Sequence, residues 1–213
     1  MMMNRRTLTR IAGAAALAAA VATQSFAADL APEAMVQKVS GETLAAIKAD
    51  KALQGGDINK IISLVDSKVM PHVDFARMTA SAVGPAWRSA TPAQKGQLQQ
   101  EFKRLLVRTY AGAFNAVGDR QVKVLPMRAG TAGANDVVVR SQLVGSGDPI
   151  SLDYRLTRTP GKGLGSKAYN LNIGGVWMID SYKQQFAQEV NTKGIDGLIA
   201  TLAAKNKSNA AGK

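Results

Sequence analysis

The sequence predicts an α+β protein: a four-stranded antiparallel sheet covered by a long helix, with additional helices forming a second lobe around an apolar cavity. Three observations predict it. Residues 32–117 carry apolar side chains at helical spacing, and residues 121–178 switch to a period of two. The apolar period then returns to helical from residue 180, so helices flank one continuous block of strands.

The helices come first. Pro32–Ala49 places Met35, Val36, Val39, Leu44 and Ile47 near one face. Gln54-Gly55-Gly56 breaks the chain, and Asp57 caps a second helix carrying Ile58, Ile61, Ile62, Val65 and Val69 before Pro71. A short helix follows from Asp74 and ends at Gly84-Pro85. Thr91 with Gln94 forms a capping box for the longest helix, Pro92–Val117, and Pro92 sits where its missing N–H does no harm. That helix would reach about 39 Å, long enough to cross a small domain.

Four strands are expected at Gln121–Met127, Asp136–Val144, Ile150–Arg158 and Lys167–Met178. The third alternates most cleanly, with Ile150, Leu152, Tyr154 and Leu156 on one face. Residues 145–148 and 160–165 have hairpin-turn composition. Asp180–Asn191 and Ile195–Asn206 read as two closing helices, followed by a polar tail at 207–213.

The first 27 residues read differently. Arg5, Arg6 and Arg10 precede the apolar run Ile11–Ala22, and Ser25-Phe26-Ala27 supplies the small residues of a cleavage site, as in a secretory signal peptide. Cleavage is expected after Ala27, giving a periplasmic protein and one domain spanning residues 28–206. Arg5-Arg6 leaves the general and twin-arginine export routes both open. Losing three arginines and no acid lowers the formal charge from +12 to +9. Export removes nucleic acid as the partner of that charge, leaving anionic lipid, acidic proteins or plain solvation.

Composition excludes much chemistry. There is no cysteine, so disulfides, thiol catalysis and cysteine-ligated metals are out. His72 is the single histidine, which excludes metal sites built on two imidazoles, and no metal or other cofactor is expected. No G-x-S-x-G, S-x-x-K, phosphate-loop or H-E-x-x-H pattern occurs. His72 with Asp74 lacks a placed nucleophile and reads as capping or packing. Asp153 and Tyr154 are strand neighbours that point to opposite faces, so they form no acid–phenol pair in one cavity. The chain is expected not to be an enzyme.

Six segments in order resemble the MlaC, or toluene-tolerance, family of periplasmic phospholipid-binding proteins. They are Pro71–Met78 (PHVDFARM), Trp87–Phe114, Val122–Pro126 (VKVLP), Ile150–Leu156 (ISLDYRL), Tyr182–Phe186 (YKQQF) and Gly194–Ile199 (GIDGLI). The family's usual W-K-V-Y-D reads Ser166-Lys167-Ala168-Tyr169-Asn170 here. The resemblance implies a carrier with phospholipid as cargo, working between an outer-membrane lipoprotein–porin complex and an inner-membrane ABC transporter with a lipid-binding ring, and so maintaining outer-membrane lipid asymmetry. A periplasmic chaperone or adaptor is the alternative that the residues alone leave open.

On that reading, periodicity nominates the lipid-contacting residues. Leu106, Tyr110 and Phe114 come from the long helix. Val137, Val139 and Leu143 form the inward set of the second strand, because the opposite set includes Arg140 and Gln142. Leu152, Tyr154, Leu156, Tyr169, Leu171 and Ile173 continue the wall, with Phe75, Met78 and Phe186 closing its ends. Ordinary core packing competes for each position, and about half are expected to be only that. Two acyl chains would require a cavity near or above about 1,000 Å³.

Overall fold

The computed structural model describes residues 29–127 and 133–211; the expected signal peptide and its cleavage after Ala27 lie outside them. Local capping sets most helix starts. Helix α1 (Pro32–Ala49) opens with a proline in its first turn. Asp50 caps the single turn α2 (Lys51–Gln54), accepting from the amides of Ala52 at 2.8 Å and Leu53 at 3.4 Å. Asp57 does the same for α3 (Ile58–Leu64), accepting from Asn59 at 2.9 Å and Lys60 at 3.1 Å. Beyond Leu64 the helix widens into a π turn at Val65–Val69 and then tightens to a 3₁₀ turn at Met70–His72. Pro71 is the reason no α-helix continues there.

Asp74, rather than His72, starts α4 (Phe75–Val83), accepting from the Arg77 amide at 2.9 Å. The capping box at Thr91 and Gln94 is present at the head of α5 (Pro92–Tyr110). This helix is shorter than the expected Pro92–Val117: residues Ala111–Ala116 coil as a 3₁₀ segment. Gly112 has low helix propensity, so the α form gives way within two residues.

The α+β class and antiparallel sheet hold, but among the described residues the sheet has six strands rather than four. These are β1 (Gln121–Val124), β2 (Asp136–Val139), β3 (Ser141–Val144), β4 (Ile150–Arg158), β5 (Ser166–Ile173) and β6 (Val176–Trp177). They run in the order β1-β3-β4-β5-β6, and β2 lies beside the far half of β4. The expected strand Asp136–Val144 breaks at Arg140 because side chains take over the ladder. The Asp153 carboxylate accepts from the Ser141 amide at 3.2 Å, and the Ser141 hydroxyl bonds the Leu152 carbonyl. The expected strand Lys167–Met178 ends at Ile173, where Gly174 and Gly175 turn the chain with φ of 59° and 93°. Met178 already belongs to α6 (Met178–Ala211).

The helical run α6 breaks at Gly194 (φ 70°, ψ −173°) into two helices, at the junction expected between two closing helices, and the second continues through 207–211 where a tail was expected. Its last residues hold because buried Asn206 donates to the Glu101 carbonyl at 2.9 Å and carboxylate at 2.7 Å.

Among the described residues, three packed clusters frame the molecule. Phe75, Met78, Leu98, Phe102, Phe186, Leu198 and Leu202 join α4, α5 and α6. Ile47, Leu53, Ile61, Leu64, Val107 and Val117 join α1, α2, α3 and α5. Met35 and Val36 press α1 onto Val137, Val139 and Leu156 of the sheet. So α1 is the direct cover of the sheet, while α5 packs chiefly on α6 and faces the strands across an open space.

Candidate functional site

That space is a cavity of about 320 Å³. Val39, Ser40, Thr43 and Leu44 of α1 form one wall, with Ile61 of α3 and Val65 and Val69 of the π turn beside them. The helix α5 and the 3₁₀ segment after it contribute Leu106, Val107, Tyr110, Ala113 and Phe114. Leu152 and Tyr154 of β4, Leu171 and Ile173 of β5, and Met178 of α6 close the opposite side.

The lining carries four hydroxyls, and three are already engaged. Ser40 Oγ and Tyr154 Oη lie 2.9 Å apart, and Thr43 Oγ1 donates to the Val39 carbonyl at 2.7 Å. Burial pushes the Tyr154 phenol up to about 12, and it pushes Tyr110 up as well, so both stay neutral at physiological pH. Tyr154 is half-buried and lines the cavity, and its hydroxyl meets that of Ser40 on α1. Among the described residues no charged side chain lines the space. Such a wall offers dispersion and the hydrophobic effect, with almost no polar recognition.

Leu106, Tyr110, Phe114, Leu152, Tyr154, Leu171 and Ile173 therefore stand together around the cavity. The other eight nominated residues do not. Phe75, Met78 and Phe186 are spent on the α4–α5–α6 core, where Phe102 meets Phe186 edge-on at 5.1 Å between ring centroids. Val137, Val139 and Leu156 face inward as alternation requires, but Met35 and Val36 fill the space above them. Leu143 pairs with Val122 and Ile150 on the part of the sheet beyond the cavity.

Tyr169 is displaced by a β-bulge. Arg155 pairs with Asn170 and Leu156 with Ala168, so Tyr169 has no partner and strict alternation fails there. The bulge sends Tyr169 beneath the Arg77 guanidinium, 3.6 Å from Cζ to ring centroid, and leaves Leu171 and Ile173 on the cavity side.

Periodicity missed the α1 and α3 walls. Val39, Leu44, Ile61, Val65 and Val69 were visible as apolar stripes, but a stripe does not say which neighbour leaves it uncovered. The cavity is also smaller than two acyl chains require, at the lower end of ordinary ligand sites. His72 lies outside the lining, half-buried at the 3₁₀ turn, and burial holds its imidazole below the ordinary value.

The model of one protein family, described as MlaC protein, matches residues 37–204, which is most of the chain and all of the cavity wall. The chain belongs to the MlaC family. Two curated relatives agree. The intermembrane phospholipid transport system binding protein MlaC of Haemophilus influenzae is 21% identical over 189 residues, covering 87% of each chain. The toluene tolerance protein ttg2D of Pseudomonas putida is 26% identical over 166 residues, covering 78% of this chain and 75% of its own. A solved structure of a phospholipid-binding protein from Ralstonia solanacearum, in complex with a phospholipid, superposes with a TM-score of 0.78. It is 42% identical and covers 84% of this chain and 98% of its own. MlaC membership places the chain among lipid-binding transport components rather than enzymes. Among the described residues no helix is long and apolar enough to cross a membrane.

Proposed function

We propose that this MlaC-family chain is a periplasmic carrier that buries phospholipid tails in the cavity between α1, α3, α5 and the sheet. It would receive and release its cargo at an outer-membrane lipoprotein–porin complex and an inner-membrane ABC transporter with a lipid-binding ring, and so maintain outer-membrane lipid asymmetry. One observation carries the reading: an apolar cavity whose polar groups are almost all bonded to each other or to backbone. The phospholipid held by the Ralstonia solanacearum relative supports it.

The energetics suit a carrier. Two tails hold about 30 methylenes, and exposing them to water would cost about 24 kcal/mol. A lipid leaving a bilayer trades one apolar surrounding for another, so a modest net affinity is enough for transit. Head groups remain hydrated, and mixed head groups are expected in the cargo.

Native mass spectrometry of protein from the periplasmic fraction, followed by solvent extraction, tests this reading. Bound diacyl lipid with mixed tails and head groups is the expected result. Protein that holds no lipid and takes none from liposomes would overturn it. Transfer assays against vesicles containing either membrane complex separate carriage from simple storage.

A further inference from the structure

A second depression, of about 280 Å³, lies on the surface along α4 and the following 3₁₀ turn (Gly84–Arg88) and shares no residue with the apolar cavity. Arg77 and Arg88 border it, the half-buried Trp87 supplies an aromatic wall, and Ser81 and Pro85 complete it. Lys95 stands 5.6 Å from the Trp87 ring centroid and adds a cation on the indole. Asp136 holds Arg77 through paired bonds of 2.9 and 2.7 Å, so that guanidinium is fixed in place. Among the described residues no carboxylate lies within ion-pair reach of Arg88 or Lys95.

We propose that this groove docks an acidic peptide segment of a protein partner. A carboxylate would lie against Arg88, with an adjacent apolar side chain on Trp87. Tryptophan and arginine are the side chains most enriched where binding energy concentrates at protein interfaces. Arginine's planar fork suits a carboxylate, and the indole gives area at low entropic cost. A chain with 27 basic and 15 acidic residues favours an acidic partner over a second copy of itself. The groove differs from the cavity in both chemistry and place. A partner seated there leaves the cavity lining uncovered, whatever that cavity holds.

The test uses the full mature protein, ¹⁵N-labelled. The chain has two tryptophans, so its indole N–H region holds two resonances, assigned with Trp87→Phe. Titration with the peptide acetyl-Leu-Glu-Asp-Leu-amide should move the Trp87 signal, and acetyl-Leu-Gln-Asn-Leu-amide should not. Added salt should weaken the response. Arg88→Gln should weaken binding by about tenfold. Ser81→Glu, another exposed position, should weaken it through like charge while leaving the far-ultraviolet spectrum intact. Equal responses to the two peptides, a response that survives in both variants, or no response at all overturns the proposal. A shift produced by phosphatidylglycerol vesicles or inorganic phosphate and not by the acidic peptide also overturns it, assigning the groove to a membrane or a free anion instead.

Discussion

The hydroxyls of Ser40 and Tyr154 lie 2.9 Å apart and join α1 to β4 where packed core gives way to open cavity. On one side of this pair, Met35 and Val36 fill the space above Val137, Val139 and Leu156. On the other, Leu152, Leu171 and Ile173 face empty volume. The bond thus sets how far α1 stands from the sheet at the cavity's closed end.

Removing that bond should loosen the closed end and change the alkaline limit of stability. Burial raises the Tyr154 phenol to about 12, above the value of about 10 in an unfolded chain. A raised folded value means the contribution is complete below about pH 10 and is lost as the pH climbs through about 12. The loss is of order 2–3 kcal/mol for such a shift. Urea unfolding from neutral to strongly alkaline pH should show this slope in the wild type and a flatter one in Tyr154→Phe. At neutral pH the same variant should lose about 1 kcal/mol, because Ser40 loses its partner. Parallel alkaline slopes for the two proteins would disprove the assignment.

Two leucines on one face of β4 should answer differently to the same substitution. Leu152 borders the cavity, whereas Leu156 is fully buried against α1. Leu152→Arg should fold, with unchanged helix content by circular dichroism, and should show reduced lipid occupancy by native mass spectrometry. Leu156→Arg should fail to fold, since an unpaired charge in a packed core costs several kcal/mol. Unfolding of Leu152→Arg would place that residue in the structural core.

That contrast also marks what the sequence makes legible. Alternation puts Leu152, Tyr154 and Leu156 on one face, and all three are there. Alternation is a property of one strand, while cavity or core depends on what stands opposite. Met35 and Val36 cover one end of the face and leave the other open, a matter of helix placement in three dimensions. Tyr169 shows a second limit, because one extra residue in β5 reverses its side without any glycine or proline to signal the bulge. Caps at Asp57 and Thr91 were legible because they act within three residues. The strand break at Arg140 was not, since it depends on Asp153, thirteen residues further along.

Arg77 links α4 to two strands at the bulge, gripping Asp136 of β2 while lying over Tyr169 of β5. Its hydrogen bonds hold the Asp136 carboxyl below the ordinary range. Both side chains are about a third or more exposed, at 36% and 45%, so solvent screening keeps the coupling near about 0.5 kcal/mol. A double-mutant cycle with Arg77→Ala and Asp136→Ala should recover that value at neutral pH in low salt. A lowered folded pKa requires the coupling to fade as the pH falls below the usual aspartate range. Coupling that persists in acid would mean packing on Tyr169, rather than the ion pair, carries the link.

The cavity's size makes the last prediction. An apolar cavity of about 150 Å³ holds one benzene. A volume of about 320 Å³ therefore takes roughly two such rings, fewer carbons than one acyl chain of about 15 methylenes. Diacyl cargo then requires the walls to part, and the α3 side is the compliant one. Val65 and Val69 line the cavity from a π turn, where the regular α-helical ladder is already broken, whereas β4 is held by neighbours on both edges. The chain has no cysteine, so Ser63→Cys and Val176→Cys can carry the only spin labels, at exposed positions on α3 and β6. Pulsed electron–electron resonance should show the labels moving apart on loading with diacyl phospholipid. Loading with a single-chain lysophospholipid should move them less. A distance distribution unchanged at full diacyl occupancy would mean that the tails extend through the cavity mouth, and the rigid-wall picture would replace this one.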